Sequence, residues 1–256
     1  MDTTLLKGLA VLEALAGSRE PRGVTELANE LGMLKSNVHR VLQTLAHRGY
    51  VRKDAASGRY ECSLKVWELG ALLAERLDVR RAARPHVAAL AERTSETVHV
   101  SVLDGAEVLY VDKVESPQPV RAYSRVGGRA PAYCVATGKA LLAHAPEEMV
   151  AELSAALVRH TPRTITDPEA LRKELRRVRE TGYAVNRGEW REAVGGLAAP
   201  IFDLSRGAIA AIGLSGPTDR LTANRMREWA PLVMAAAGAI SRDLGFTEPA
   251  AVRATG

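Results

Sequence analysis

This sequence has little material for disulfides, membrane spans or base-stacking platforms. Two cysteines, Cys62 and Cys134, in 256 residues build no disulfide framework, and reduced thiols are the simpler expectation. No apolar run approaches the roughly 18 residues a bilayer span needs, so no membrane partner is expected. The first residues, Met1-Asp-Thr-Thr-Leu-Leu-Lys7, lack the basic start and apolar block of a signal peptide, which makes a cytoplasmic location the expectation. Aromatics are 4% of the chain, and the three tryptophans are scattered, so they form no stacking platform; Trp190, in a polar stretch before a strand, is a candidate cover for a pocket or an interface. The six histidines show no metal-ligand spacing, and Gly127-Gly128 and Gly195-Gly196 are isolated pairs rather than a phosphate loop. Neither metal nor cofactor is expected. Internal repeats and low-complexity segments are absent as well.

What is there is apolar enough to fold: 46% of residues are hydrophobic, over a length that suits one large domain or two smaller ones. Charge is unevenly placed. Between residues 35 and 59, Lys35, Arg40, Arg48, Arg52, Lys53 and Arg59 face Asp54 alone, a local excess of five that equals the net charge of the whole chain. A basic block is often only a solvated face, but here it coincides with a motif.

That motif is Val24-Thr-Glu-Leu-Ala28-Asn-Glu-Leu-Gly32-Met-Leu-Lys-Ser-Asn-Val38-His-Arg-Val-Leu-Gln-Thr-Leu45. Ala28 is small enough for a second helix to approach. Gly32 supplies the positive φ that ends the first helix, and Val38 faces back into the same small core, which are the requirements of a helix-turn-helix. On the second helix Val38, Val41, Leu42 and Leu45 make an apolar stripe, with polar side chains opposite. Gly49-Tyr-Val-Arg-Lys53 and Arg59-Tyr-Glu-Cys-Ser63, joined by the turn-rich Asp54-Ala-Ala-Ser-Gly58, read as a β-hairpin directly after it, giving a winged helix-turn-helix.

A helix over 3–17 precedes the motif and a broadly apolar helix over 64–78 follows it, carrying Leu64, Trp67, Leu69, Leu72, Leu73 and Leu77; so apolar a linker is expected to pack on a partner, within its own domain or in a second subunit. Residues 79–95 continue as a helix, and then the period changes to two. Strands are expected at 97–103, 106–115, 119–125, 183–186, 193–203 and 208–215, with helices at 135–144, 146–158, 167–181 and about 223–244 and a frayed tail at 247–256. Asp167-Pro168 is an N-cap followed by proline at the first helical position. The fold class is therefore mixed α/β (α+β), with about six strands in the second domain.

Over about residues 3–246 the sequence resembles the IclR family of bacterial transcriptional regulators. The resemblance is carried by Leu-Lys-Gly-Leu-Ala-Val-Leu-Glu at 6–13, Val-Thr-Glu-Leu-Ala at 24–28, Lys35-Ser-Asn-Val-His-Arg-Val-Leu, Gly49-Tyr-Val with Tyr60, Gly138-Lys-Ala-Leu-Leu-Ala, Thr181-Gly-Tyr-Ala, Gly195-Gly-Leu-Ala-Ala-Pro-Ile and Ser215-Gly-Pro, in order. Leu34 departs from it, standing where many members carry Ser or Pro, which weakens the cap of the recognition helix. The resemblance implies a winged-helix DNA-binding domain at 1–63, a linker helix at 64–78 and a GAF-like effector domain at 79–246. It also implies dimers, often paired into tetramers, that bind operators near catabolic promoters and answer to a small molecule.

For DNA the expected contacts are Lys35, Ser36, Asn37, His39, Arg40, Gln43 and Thr44 on the recognition helix, with Arg40 suited to guanine and Asn37 to adenine, and Arg52, Lys53 and Arg59 on the wing for phosphates. By position in the family, the effector pocket would be lined by Ala130, Cys134, Ala136, Thr137, Gly138, Asn186, Gly196, Gly213 and Ser215. Ala136-Thr137-Gly138 opens a helix whose free N–H groups suit a carboxylate, and Thr137 and Ser215 add hydroxyls. Gly196 and Gly213, where small-acid members carry larger residues, leave room for an aromatic or longer carboxylate. Cys134 has no recognisable partner base, which favours a buried structural thiol, and His99 in its alternating strand reads as a core or pocket residue. Two other classes compete with the regulator. A small-molecule enzyme with an accessory helical domain lacks an acid/base pair, a nucleophile constellation and a metal set. A protein-interaction module built on a winged helix would not need the localised basic charge.

Overall fold

The computed structural model describes residues 3–75, 78–122 and 124–247. Leu77, Tyr123, the side chain of Leu73 and the expected tail from 248 lie outside the described residues. The chain divides into two compact units, Met1–Leu77 and Asp78–Gly256.

In the first unit α1 (Thr3–Ala16), α2 (Val24–Leu31) and α3 (Lys35–His47) are followed by a two-stranded antiparallel wing, β1 (Val51–Lys53) and β2 (Tyr60–Cys62), and by α4 (Leu64–Glu75). Val11, Leu15, Leu27, Ala28, Val38, Val41, Leu42, Val51 and Tyr60 form its core, so Ala28 and Val38 do meet where the motif needs them. Gly32 ends α2 in the left-handed region at φ 62°, a conformation that costs glycine least. In the wing connector Asp54 accepts the N–H groups of Ala56 and Ser57, each at 3.1 Å, closing the turn ahead of Gly58. Arg22 and Tyr60 exchange backbone hydrogen bonds of 2.7 and 2.8 Å and anchor the wing to the chain ahead of α2.

The second unit begins with α5 (Asp78–Thr94) and holds one six-stranded antiparallel sheet. Its strands are β3 (Thr97–Asp104), β4 (Glu107–Val114), β5 (Arg129–Pro131), β6 (Ala184–Arg187), β7 (Val194–Phe202) and β8 (Ala208–Pro217), in the order β5-β4-β3-β8-β7-β6. Helices α6 (Ala136–Leu142), α7 (Glu147–Ser154) and α8 (Pro168–Thr181) lie between β5 and β6, and α9 (Ala223–Asp243) closes the unit. The two faces are distinguished by successive glycines of β7. A Cβ on Gly195 would meet Met226 of α9, whereas one on Gly196 would meet Ala136 of α6. Asp167 caps α8 by accepting Ala170 N–H at 2.7 Å, and Gly182 ends it at φ 79°.

Two expectations need correction. Residues 119–122 and 124–125 form no strand; Pro117 and Pro119 remove ladder donors there, and the edge of β4 is taken instead by Arg129–Pro131, inside a stretch that reads as a loop. The helix expected to reach Val158 stops at Ser154, and a 3-10 turn, Ala132–Cys134, precedes α6.

Candidate functional site

Two surfaces of the chain are candidates for recognition, one in each unit. On the first, α3 turns its apolar stripe inward and leaves Lys35, Ser36, His39, Arg40, Gln43 and Thr44 exposed, with Asn37 half-buried on the flank. The Thr44 hydroxyl is bonded back to Arg40 O at 3.0 Å. Leu34 is the N-cap residue of α3, 71% exposed, and caps no N–H with its side chain. Lys53 reaches over the Tyr60 ring at 5.8 Å.

The wing cations divide in a way that the sequence does not reveal. Arg52 is paired with Glu61 at 2.6 Å across the hairpin. Arg59 donates to Pro21 O at 2.9 Å and pairs with Glu26 of α2. A phosphate would have to displace a carboxylate from either. Counting along the chain finds a clean basic block because Glu26 and Glu61 fall outside it in sequence; folding returns them to it. Lys35, Arg40, Arg48 and Lys53 carry no ion pair among the described residues.

In the second unit a cavity of about 300 Å³ opens between the sheet and the start of α6. His99, Tyr110, Ala122, Ser124, Val135, Ala136, Asn186, Trp190, Arg191, Val194, Gly195, Gly196, Leu214 and Ser215 line it. Of the residues expected at the effector pocket, the cavity brings together Ala136, Asn186, Gly196 and Ser215, and His99 and Trp190 are wall residues. Alternation positions His99, which pairs across the sheet with Gly213 of β8 and packs edge-on against Tyr110 at 4.8 Å. Burial, with a smaller push from Lys113, holds the His99 imidazole down at about 4, so it is neutral at pH 7. Burial pushes the Tyr110 phenol up to about 12. His99 Nδ1 and the hydroxyls of Ser101, Ser124 and Thr137 are buried with no protein partner. Among the described lining residues Arg191 is the one cation and none is a carboxylate; the Arg191 guanidinium stacks over the Trp190 ring at 4.6 Å.

Five expected pocket residues are not part of the lining. Ala130 is buried in β5, paired with Val108. Cys134 lies wholly in the core of the 3-10 turn, where burial pushes its thiol up to about 12, the state of a structural and not a reactive cysteine. Gly138 faces that turn; a Cβ there would stand 2.1 Å from Ala132 O. Gly213 leaves no room for a ligand, because Thr137 Cγ2 fills the place of its side chain at 2.8 Å. Thr137 itself is held against the sheet. Arg191 and Tyr110 were missed by sequence reasoning. The alternation of β4 is a signal that could have found Tyr110; for Arg191, in the turn after Gly188, there is none.

A second polar cluster supports the cavity wall. Lys139 of α6 is 1% exposed and donates to both carboxylate oxygens of Glu189, at 2.8 and 2.7 Å, with Glu174 of α8 at 3.3 Å. Burial raises the Glu189 carboxyl despite the ammonium beside it. For Glu174 burial also acts upward, but the Arg177 and Lys139 cations together hold its carboxyl below the usual range.

Comparison with known proteins identifies the family of both units. A family model described as IclR helix-turn-helix domain matches residues 4–55, and one described as Bacterial transcriptional regulator IclR C-terminal matches residues 71–242. The HTH-type transcriptional regulator KdgR of Escherichia coli (strain K12) is 37% identical over 246 residues, covering 95% of this chain and 93% of that protein. The Transcriptional repressor IclR of the same organism is 32% identical, covering 94% and 90%. Among solved structures, the Thermotoga maritima IclR superposes with a TM-score of 0.80 at 32% identity, over 95% of this chain and 99% of that one. An IclR homolog from Microbacterium hydrocarbonoxydans, complexed with 4-hydroxybenzoate, gives 0.83 at 28% identity over 95% and 99%.

Proposed function

The chain belongs to the IclR family, DNA-binding transcriptional regulators and not enzymes, and from that premise we propose that it controls a catabolic promoter in response to an organic carboxylate bound in the α6 cavity. The observation that carries the carboxylate is Arg191, a lining cation that makes no ion pair among the described residues, in a cavity with no carboxylate among its described lining residues. The walls made by His99, Tyr110 and Trp190 suit a flat or aromatic acid, and the 4-hydroxybenzoate of the Microbacterium homologue is the natural first probe.

On the DNA side Arg40 reads a guanine, Asn37 an adenine, and Ser36, His39, Gln43 and Thr44 line the groove-facing side of α3. Lys35, Arg48 and Lys53 contact phosphate, and Arg52 and Arg59 shape the wing. The active species is a dimer or a pair of dimers, assembled through the exposed apolar side chains of α1 and α4, Leu6, Leu9, Leu64, Trp67 and Leu72. Ligand alters the pairing of effector units and with it the alignment of recognition helices on half-sites about 34 Å apart.

The test is fluorescence anisotropy on the duplex upstream of the protein's own gene, against a scrambled duplex, with and without 4-hydroxybenzoate. Sequence preference that the acid changes supports the reading. Preference untouched by a panel of carboxylates removes the carboxylate, and no preference at all removes the operator.

A further inference from the structure

We infer that the buried Lys139–Glu189 ion pair is the clasp that holds the Trp190–Arg191 turn at the mouth of the cavity, making both members positioning residues for effector recognition. The inference rests on the reading of that cavity as the effector site, but its geometry stands independently. Lys139 projects from α6 one turn beyond Ala136, which is itself in the cavity wall. Its ammonium has no water-facing side, and its partners are the Glu189 carboxylate and, more distantly, Glu174. Burying a lysine this way is costly unless its partners are fixed.

They are fixed. Asn186 Oδ1 accepts the N–H groups of Gly188 and Glu189 at 3.0 and 2.9 Å. Thr161 Oγ1 donates to Gly188 O at 2.7 Å, and Thr164 Oγ1 to Glu189 O at 2.6 Å. Gly188 stands at φ 85°, and a Cβ there would lie 2.6 Å from Glu192 O. The next two residues, Trp190 and Arg191, enter the cavity lining, and Asn186 lines it as well. Every link from α6 to the pocket mouth is thus a short polar bond, so the turn is a fixed wall and not a free lid. A charge pair rather than an apolar contact is used because it fixes direction as well as distance.

The experiment uses the full chain with Trp67→Phe and Trp229→Phe, which leaves Trp190 as the single tryptophan. Glu189→Gln and Lys139→Gln are each expected to raise acrylamide quenching of Trp190 severalfold with far-UV circular dichroism unchanged. The double variant is expected to be no worse than either single, as one shared strut requires. Unchanged quenching in both singles, or additive effects in the double, overturns the clasp. Hydrogen exchange of the unsubstituted protein covers variants that fail to fold. Slow exchange at the Gly188 and Glu189 amides supports the clasp, and exchange as fast as that of the 54–58 wing turn overturns it. Neither readout needs a ligand, so failure of 4-hydroxybenzoate to bind the unsubstituted protein counts against the carboxylate reading and not against the clasp.

Discussion

Arg40 stands on the exposed face of the helix proposed to read DNA and His99 in the wall of the cavity proposed to bind the effector, and the two differ in how visible they are. Arg40 is exposed on the outer face of α3 and makes no ion pair among the described residues, which leaves its guanidinium fork open for the guanine contact proposed above. Arg40→Ala is expected to cost about 1–3 kcal/mol on the operator and to relax selection at one base pair; competition binding on an operator randomised at each position checks it, and a uniform loss at every position would assign Arg40 to phosphate. His99 is buried and neutral, with its folded pKa at about 4, below the 6.5 of an unfolded histidine. As pH falls the unfolded chain takes up this proton first. The stabilisation from keeping His99 neutral is therefore present above 6.5 and lost as pH falls toward 4, about 3 kcal/mol in all. Urea unfolding of the protein and of His99→Gln at pH 7 and pH 4 measures the difference: the natural chain should lose about 3 kcal/mol more than the variant, and parallel losses would remove His99 as the source. The outward position of Arg40 was legible from the helical period of α3. The cavity was only half legible, because Gly196 and Gly213 look alike in sequence, and only the fold puts Gly196 in the cavity wall while Thr137, Ala198 and Leu197 crowd Gly213.

At the scale of elements, the signals that survive are those with a local cause. Gly32, Asp167, Pro168 and Gly182 stop and start helices through their own backbone or side-chain chemistry, and each sits where it reads. β5 could not be read, because three residues take their strand character from the edge of β4 and from the two prolines that disqualify the segment before them. Leu34 is a local signal of the opposite kind, a cap position filled by a side chain that cannot cap. Leu34→Ser should stabilise the winged unit by about 1 kcal/mol, since the leucine buries little and the hydroxyl accepts an N–H of the first turn of α3. Native-state hydrogen exchange of the α3 amides checks this; a slower exchange is expected, and faster exchange would mean that Leu34 packs against something the cap argument omits.

At the scale of the whole molecule, charge and apolar surface argue together. The winged unit exposes Trp67 at 71% and Leu64 at 77% on α4, with Leu6 and Leu9 on α1, more apolar area than a solitary surface helix carries. In the proposed dimer a second copy covers that face and brings a second recognition helix, and the number of phosphates the dimer neutralises then follows from which cations are free. Were the five basic side chains between 35 and 59 other than the base-reading Arg40 all engaged on phosphates, a dimer would show a slope of log K against log salt near −9. With Arg52 and Arg59 held by Glu61 and Glu26, three per protomer remain and the slope falls to about −5. Glu26→Gln with Glu61→Gln frees both arginines and should steepen the slope toward the larger value, whereas Trp67→Asp should break the dimer and roughly halve it. Sedimentation of the same Trp67→Asp sample separates the two causes. A slope halved in a species that remains dimeric would mean that α4 acts on DNA affinity by some route other than assembly.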